Sequence, residues 1–155
     1  MSKKILLTQG KAALVDDKDY EVLSRYNWHY VSQGYAARKE KIKGKRKVVL
    51  MHRQILRATD KWVDHINGDG LDNRRENIRL VTPSQNRMNS KPLRTLGSKF
   101  KGVYRHTKTK KWCADIRFNG KTNYLGSFDL ERDAAAAYNL AAKQKFGAYA
   151  KLNQI

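Results

Sequence analysis

Apolar and polar positions alternate along the first fifty residues in short bursts separated by turn formers, which predicts strands rather than long helices. Ile5-Leu6-Leu7 and Ala12-Ala13-Leu14-Val15 flank Gln9-Gly10-Lys11 and read as a hairpin. From Asp16 to Tyr26 the spacing of Tyr20, Leu23 and Tyr26 marks one side of a short helix, with Asp16 or Asp17 as its cap. Trp28, Tyr30 and Tyr35, interrupted by Ser32-Gln33-Gly34, predict a second hairpin, in which His29 is a strand residue and not a ligand. Val48-Val49-Leu50-Met51 predicts a further strand. The charged stretch Lys39 to Lys47 before it reads as a basic turn region that contacts phosphates.

The pattern changes at Trp62. The run from Trp62 to Asn73 contains Gly68-Asp69-Gly70 and Asp72-Asn73, turn formers that make it a loop rather than a helix interior. Ile78-Arg79-Leu80-Val81 alternates like a short strand. Thr82-Pro83-Ser84-Gln85-Asn86 then reads as a helix start, with Thr82 as cap and Pro83 in the first helical position. Lys91 to Ser98, with Pro92 and Gly97, has little periodicity and predicts a linker. Three strands and a helix follow. Trp112, Ala114, Ile116 and Phe118 fall on one face of the clearest strand, and Cys113, Asp115 and Arg117 on the other. Asn119-Gly120 signals a two-residue hairpin. The helix is capped by Asp129, carries Glu131 and Asp133 in its first turn, and runs to about Phe146, where Gly147 stops it. Trp112, Ile116, Phe118, Tyr138 and Phe146 are the expected core of this part.

Composition narrows the partner. The 155 residues carry 33 Lys and Arg against 14 Asp and Glu, a formal charge of +19. Self-repulsion of that size costs stability, and a polyanion is the usual reason for it. The charge is spread: +7 over residues 1–50, +4 over 51–96 and +8 over 97–155. The middle is the least basic, as expected where carboxylates serve a metal. The single cysteine, Cys113, excludes disulfide frameworks, disulfide-linked partners and cysteine-based zinc sites. No apolar run approaches the roughly 18 residues of a membrane helix, and Ile5-Leu6-Leu7 is too short for a signal-peptide core. An intracellular protein is expected.

The central segment carries the candidate chemistry. A metal-dependent nuclease must activate a water and neutralise charge on the leaving oxygen. Asp64-His65 offers a carboxylate and an imidazole on one extended segment, and neighbouring strand residues point to opposite sides. Asn77 follows His65 by 12 residues and Asn86 follows nine later, an order that suits a hairpin followed by a helix. The text Asp64-His65-Ile66-Asn67-Gly68, Asp72-Asn73-Arg74-Arg75-Glu76-Asn77-Ile78-Arg79 and Thr82-Pro83-Ser84-Gln85-Asn86 resembles the HNH nuclease family, most of all its homing-endonuclease branch. The resemblance implies a ββα-metal fold with Asp64 and Asn86 as metal ligands and His65 as general base. Asn77 would be the asparagine that braces the loop or orients the histidine. Met51-His52-Arg53 matches an upstream family element, in which His52 is read as structural. Asn86, where the histidine-rich branch has histidine, implies magnesium or manganese rather than zinc. Arg74, Arg75, Arg79 and Arg87 are candidates to hold the DNA backbone.

The end of the chain resembles a second family. Phe100-Lys101-Gly102-Val103-Tyr104, Trp112 to Arg117, Tyr124 to Asp129, Ala134 to Tyr138 and Ala150-Lys151-Leu152-Asn153 are similar to the Apetala-two, or ethylene-response-factor, DNA-binding domain. The resemblance implies a three-stranded sheet that enters the major groove, backed by one helix. Its DNA face would include Lys101, Arg105, His106, Asp115, Arg117, Thr122 and Tyr124, with Arg117 as the base-reading candidate.

Together these readings give an α+β protein. Its parts are a β-rich extension over 1–50, a ββα-metal nuclease over 51–91, a linker over 92–97 and a DNA reader over 98–155, a three-stranded antiparallel sheet packed on one helix. The expected activity is metal-dependent, homing-like and site-specific hydrolysis of double-stranded DNA. A monomer with one site would nick one strand, inside a bacterial or phage-infected cell. The rival is a non-catalytic transcription regulator using the last part alone. RNA binding has no recognisable aromatic platform in its favour.

Overall fold

A computed structural model describes residues 1–42, 44–92 and 97–155, and of Ile42 only the backbone. Among the described residues ten strands form four small antiparallel sheets beside four α-helices, an α+β arrangement. The chain divides into two compact units, Met1–Asn86 and Arg87–Ile155.

In the first unit β1 (Ser2–Leu6) pairs with β2 (Ala12–Asp16), and α1 (Asp17–Leu23) follows directly. β3 (His29–Val31), β4 (Tyr35–Ile42) and β5 (Lys45–Leu50) form a meander. The expected basic turn over Lys39 to Lys47 is therefore largely strand, because lysines hide the alternation without preventing backbone pairing. Position 43 lies outside the described residues. The strand expected over Val48 to Met51 ends at Leu50, and Met51 opens a short helix, α2 (Met51–Ile55). β6 (Trp62–His65) and β7 (Ile78–Val81) form a two-stranded hairpin, and α3 (Pro83–Met88) follows at once. Thr82 and Gln85 cap α3 reciprocally: Gln85 N donates to Thr82 Oγ1 at 3.2 Å, and Thr82 N to Gln85 Oε1 at 2.9 Å.

One core serves this whole unit. Ile5, Ala13, Val15, Leu23, Trp28, Met51, Ile55 and Ile78 are buried together. Residues 1–50 are thus packed into one body with the hairpin rather than set apart as an extension.

The second unit is built from β8 (Val103–Arg105), β9 (Trp112–Phe118) and β10 (Lys121–Phe128), in the order β10-β9-β8, with α4 (Glu131–Phe146) across one face. Asn119 and Gly120, with φ of 50° and 76°, make the β9–β10 turn. Ala134, Ala135, Ala141 and Ala142 are buried against the sheet, their small side chains allowing close approach. The residue before the helix is Leu130, not Asp129, whose carboxylate instead meets Lys111 Nζ at 3.2 Å. Gly102 has φ +72°, and a Cβ there would lie 2.1 Å from the Tyr138 ring, so no larger residue fits. The expected linker over 92–97 lies mostly outside the described residues.

Candidate active site

The β6–β7 hairpin places Asp64 opposite Arg79 and His65 opposite Ile78. Arg79 donates from Nε at 3.0 Å and from Nη2 at 2.9 Å to Asp64 Oδ2, a half-buried ion pair that fixes the carboxylate. His65 is buried and its Nε2 lies 3.2 Å from Asn73 Oδ1. Asn73, fully buried, donates from Nδ2 to the Leu71 carbonyl at 3.2 Å, which turns its oxygen toward the imidazole. An accepting oxygen there requires the proton on Nε2 and puts the ring's lone pair on Nδ1.

Two further rings enclose His65. Its centroid is 4.9 Å from that of His52 and 5.7 Å from that of Tyr35, and Tyr35 and His52 are 5.0 Å apart. His52 Nδ1 is buried without a hydrogen-bond partner. Burial, then the neighbouring His65 and Arg53, lowers the His52 pKa to about 3. Burial also lowers the His65 pKa, while Asn73 and the carboxylates of Asp64, Asp69 and Asp72 pull it back up. Both imidazoles are neutral near pH 7 on this balance.

The loop from Ile66 to Asn77 holds its shape through its own side chains. Asn77 Nδ2 donates to the Asp72 carbonyl at 2.7 Å and to Asn67 Oδ1 at 3.0 Å, and its Oδ1 accepts from Asn67 N at 3.0 Å. Asn77 is the brace of the loop, and the imidazole contact belongs to Asn73. Arg74 makes a bidentate pair with Asp72, Nε to Oδ1 and Nη2 to Oδ2, both at 2.8 Å. Arg75 does the same with Asp19 on α1, both at 2.8 Å, while its backbone N donates to Asp16. These two arginines clamp the loop through their ion pairs with Asp72 and Asp19. The loop also joins β2: Leu14 N donates to Leu71 O and Asn73 N to Leu14 O, each at 2.8 Å. A Cβ on Gly70 would lie 2.3 Å from the Gly34 carbonyl and 2.6 Å from the Tyr35 ring, so the loop reaches β4 only with glycine there.

Asn86 stands on α3, half-buried; its backbone N donates to Thr82 O at 3.0 Å, and its side-chain amide makes no hydrogen bond to another described residue. Among the described residues no group of three His, Cys, Asp or Glu is placed to hold a metal ion. The Asp64 carboxylate and the Asn86 amide oxygen are hard oxygen donors, the ligand chemistry a magnesium-like ion accepts.

In the second unit, register places Tyr104, Cys113, Asp115, Arg117, Thr122 and Tyr124 on the sheet face away from α4. Arg117 and Tyr124 are exposed there. Burial raises the Asp115 carboxyl pKa. His106 lies in the β8–β9 turn, with Nδ1 3.2 Å from Thr109 N. Two expected members are elsewhere. Arg105 pairs with Trp112 on the helix side, where its Nε donates to Lys110 O at 3.0 Å. Lys101 donates from Nζ to the carbonyls of Arg87, Met88 and Ser90, all within the second unit, at 3.2, 2.6 and 2.9 Å, and burial lowers its pKa to about 8.

The HNH endonuclease family profile matches residues 59–88, the hairpin, loop and helix described above. An uncharacterized HNH endonuclease of Acanthamoeba polyphaga mimivirus is 32% identical over 159 aligned positions, covering 97% of this chain and 80% of that protein. The chain belongs to the HNH endonuclease family. It is a DNA endonuclease, and HNH nucleases generally use divalent metal ions. Protein 3.8 of Escherichia phage T7 is 30% identical over 77 residues, half of this HNH chain and 64% of its own length. An ethylene-responsive transcription factor of Arabidopsis thaliana is 43% identical over 58 residues, covering 36% of this chain and 14% of the plant protein. No solved structure matches. No helix among the described residues is long and apolar enough to cross a membrane.

Sequence reasoning missed Asn73 and the Arg79–Asp64 pairing. Asn73 stood in the motif but reads as a turn former. The signal for Arg79 was its place in the strand that must pair with Asp64-His65.

Proposed function

We propose that the first unit nicks double-stranded DNA with one divalent cation held by Asp64 and Asn86, and that the second reads duplex DNA through the outer face of its sheet. The observation that carries the reading is the His65–Asn73 bond beside the Asp64–Arg79 pair. It places a neutral imidazole of fixed tautomer next to an oriented carboxylate on one strand.

His65 Nδ1 takes a proton from water. The water oxygen forms a bond to phosphorus, the bond to the leaving oxygen breaks, and His65 keeps the proton. When bound, the cation neutralises the charge that builds on the leaving oxygen. Magnesium or manganese suits the two oxygen donors. Asn73 holds the ring tautomer, and Arg79 keeps the Asp64 carboxylate in one orientation. Asn77 acts at one remove, through the shape of the loop. Burial of both histidines keeps them uncharged, so neither repels a cation.

In the reading module Arg117, Thr122 and Tyr124 share the outer sheet face with Asp115, and His106 stands at its turn. Arg117 is the side chain that reads a base edge, and Arg87 is the remaining backbone contact of α3. A single site on a monomer cuts one strand, and the viral relatives support a homing-like role in a mobile element.

Metal titration of supercoiled-plasmid relaxation tests the cation reading. Wild type is expected to form open circles with magnesium or manganese and none with chelator. Asn86→Ala should need about ten- to a hundredfold more metal, and Asp64→Ala should not be rescued by any concentration. Relaxation that persists in chelator would overturn the metal assignment.

A further inference from the structure

The β4–β5 ladder is wider at one end than at the other. β3 pairs with β4 only at Tyr35, Ala36 and Ala37. From Arg38 to Ile42, β4 pairs with β5 alone, through Arg38↔Val49, Lys39↔Val48, Glu40↔Lys47, Lys41↔Arg46 and Ile42↔Lys45. Beyond Ala37 the sheet is a two-stranded ribbon, roughly 15 Å long at the usual strand rise.

Its root is fixed. Arg38, 9% exposed, stacks over the Tyr26 ring at 4.1 Å and the Trp28 ring at 5.7 Å. It also donates from Nε to Gln54 Oε1 at 3.1 Å and from Nη2 to Glu40 Oε2 at 3.2 Å. Beyond the root the ribbon presents Lys39, Lys41, Lys45, Arg46 and Lys47, all exposed. Among the described residues none of the five makes an ion pair. Glu40 is the ribbon's sole acid, and Arg38 already holds it. Register puts Lys41 directly across from Arg46, with Lys39 on the same face and Lys45 and Lys47 on the other. Like charges directly opposite each other on a ladder are destabilising. The ribbon keeps that repulsion at no gain to the core, which lies at the other end.

We propose that this ribbon is a DNA-docking arm that enters the major groove of the substrate duplex. The major groove admits a two-stranded ribbon, and cations on both ribbon faces meet the phosphates of both groove walls. The proposal rests on duplex DNA being the substrate. It adds a contact in the cutting unit that is separate from the sheet of the C-terminal unit. The competing use of such lysines is to keep an exposed strand edge from pairing with another chain.

Binding of a short labelled duplex of arbitrary sequence, followed by anisotropy across a salt series, separates these uses. Lys39→Gln/Lys41→Gln/Arg46→Gln should flatten the slope of log K against log salt by about 0.9 per lost phosphate contact, hence roughly two to three in total. Its melting temperature should hold or rise, because the cross-strand repulsion is gone. The charge-keeping variant Lys39→Arg/Lys41→Arg/Arg46→Lys should retain the wild-type slope, and so should His65→Ala. An unchanged slope in the glutamine variant overturns the arm, as does self-association of that variant with wild-type DNA binding. Plasmid relaxation on the same samples keeps the two readings apart. No relaxation by wild type beside a flattened slope in the glutamine variant sinks the cutting site alone, and relaxation by wild type beside an unchanged slope in that variant sinks the arm alone.

Discussion

His52 and His65 face each other edge to ring at 4.9 Å, two imidazoles in a space that admits no charge readily. With its pKa lowered to about 3, His52 binds its proton far more weakly folded than unfolded. The unfolded chain takes up that proton near pH 6.5, so stability is fully present above that value and is lost as pH falls toward 3. One such group gives a slope of up to about 1.4 kcal/mol per pH unit across that window. Urea unfolding between pH 7 and pH 4 should show this loss, and His52→Gln should flatten it. An identical pH dependence in the variant would remove His52 as the cause. The same residues mark what a sequence shows and hides. Asp64 and His65 are adjacent, so their pairing is visible at once. Asn73 is not, because its partner is chosen by the return of the loop onto β2. His52 meets His65 through packing across 13 positions of chain, which no local spacing encodes.

Elements with a clean period were legible: β9, the Asn119-Gly120 turn and α4 follow from alternation, turn chemistry and a glycine stop. The β4–β5 ribbon was not, because a run of lysines carries no apolar period even where the backbone pairs. The five residues of α2 are too few to show a helical period. Arginines next to a nuclease motif invite assignment to phosphate, yet Arg74 and Arg75 serve the loop. Their partners, Asp72 and Asp19, are two and fifty-six positions away, and only the fold brings Asp19 into reach. Arg75→Ala should therefore cost stability rather than affinity. The Arg75 side chain is 40% exposed, so the loss is screened to about 1 kcal/mol. That corresponds to roughly 4–8 °C in melting temperature for a unit of this size. The salt slope of DNA binding should be unchanged. A flattened slope with an unchanged melting temperature would return Arg75 to the DNA.

Across the whole molecule, a charge of +19 is distributed over parts with different tasks. Some of it is internal: Arg38, Arg74, Arg75, Arg79 and Lys101 all bond within the protein. Further cations, on the β4–β5 ribbon, on Arg87 and on the outer sheet face, are where a polyanion would be met. The low-periodicity stretch begins after Lys91, whereas the two compact units meet along the chain at Asn86 and Arg87, and the union of residues 1–50 with the hairpin in one core carries no local signal. The central claim is that His65 separates cutting from binding. The direct measurement is relaxation of supercoiled plasmid in magnesium by wild type and His65→Ala, at concentrations where both occupy the DNA equally. Open circles are expected from wild type, with a loss of about 10²- to 10⁴-fold in rate for the variant and equal binding by both. A His65→Ala protein that cuts as fast as wild type would contradict that claim.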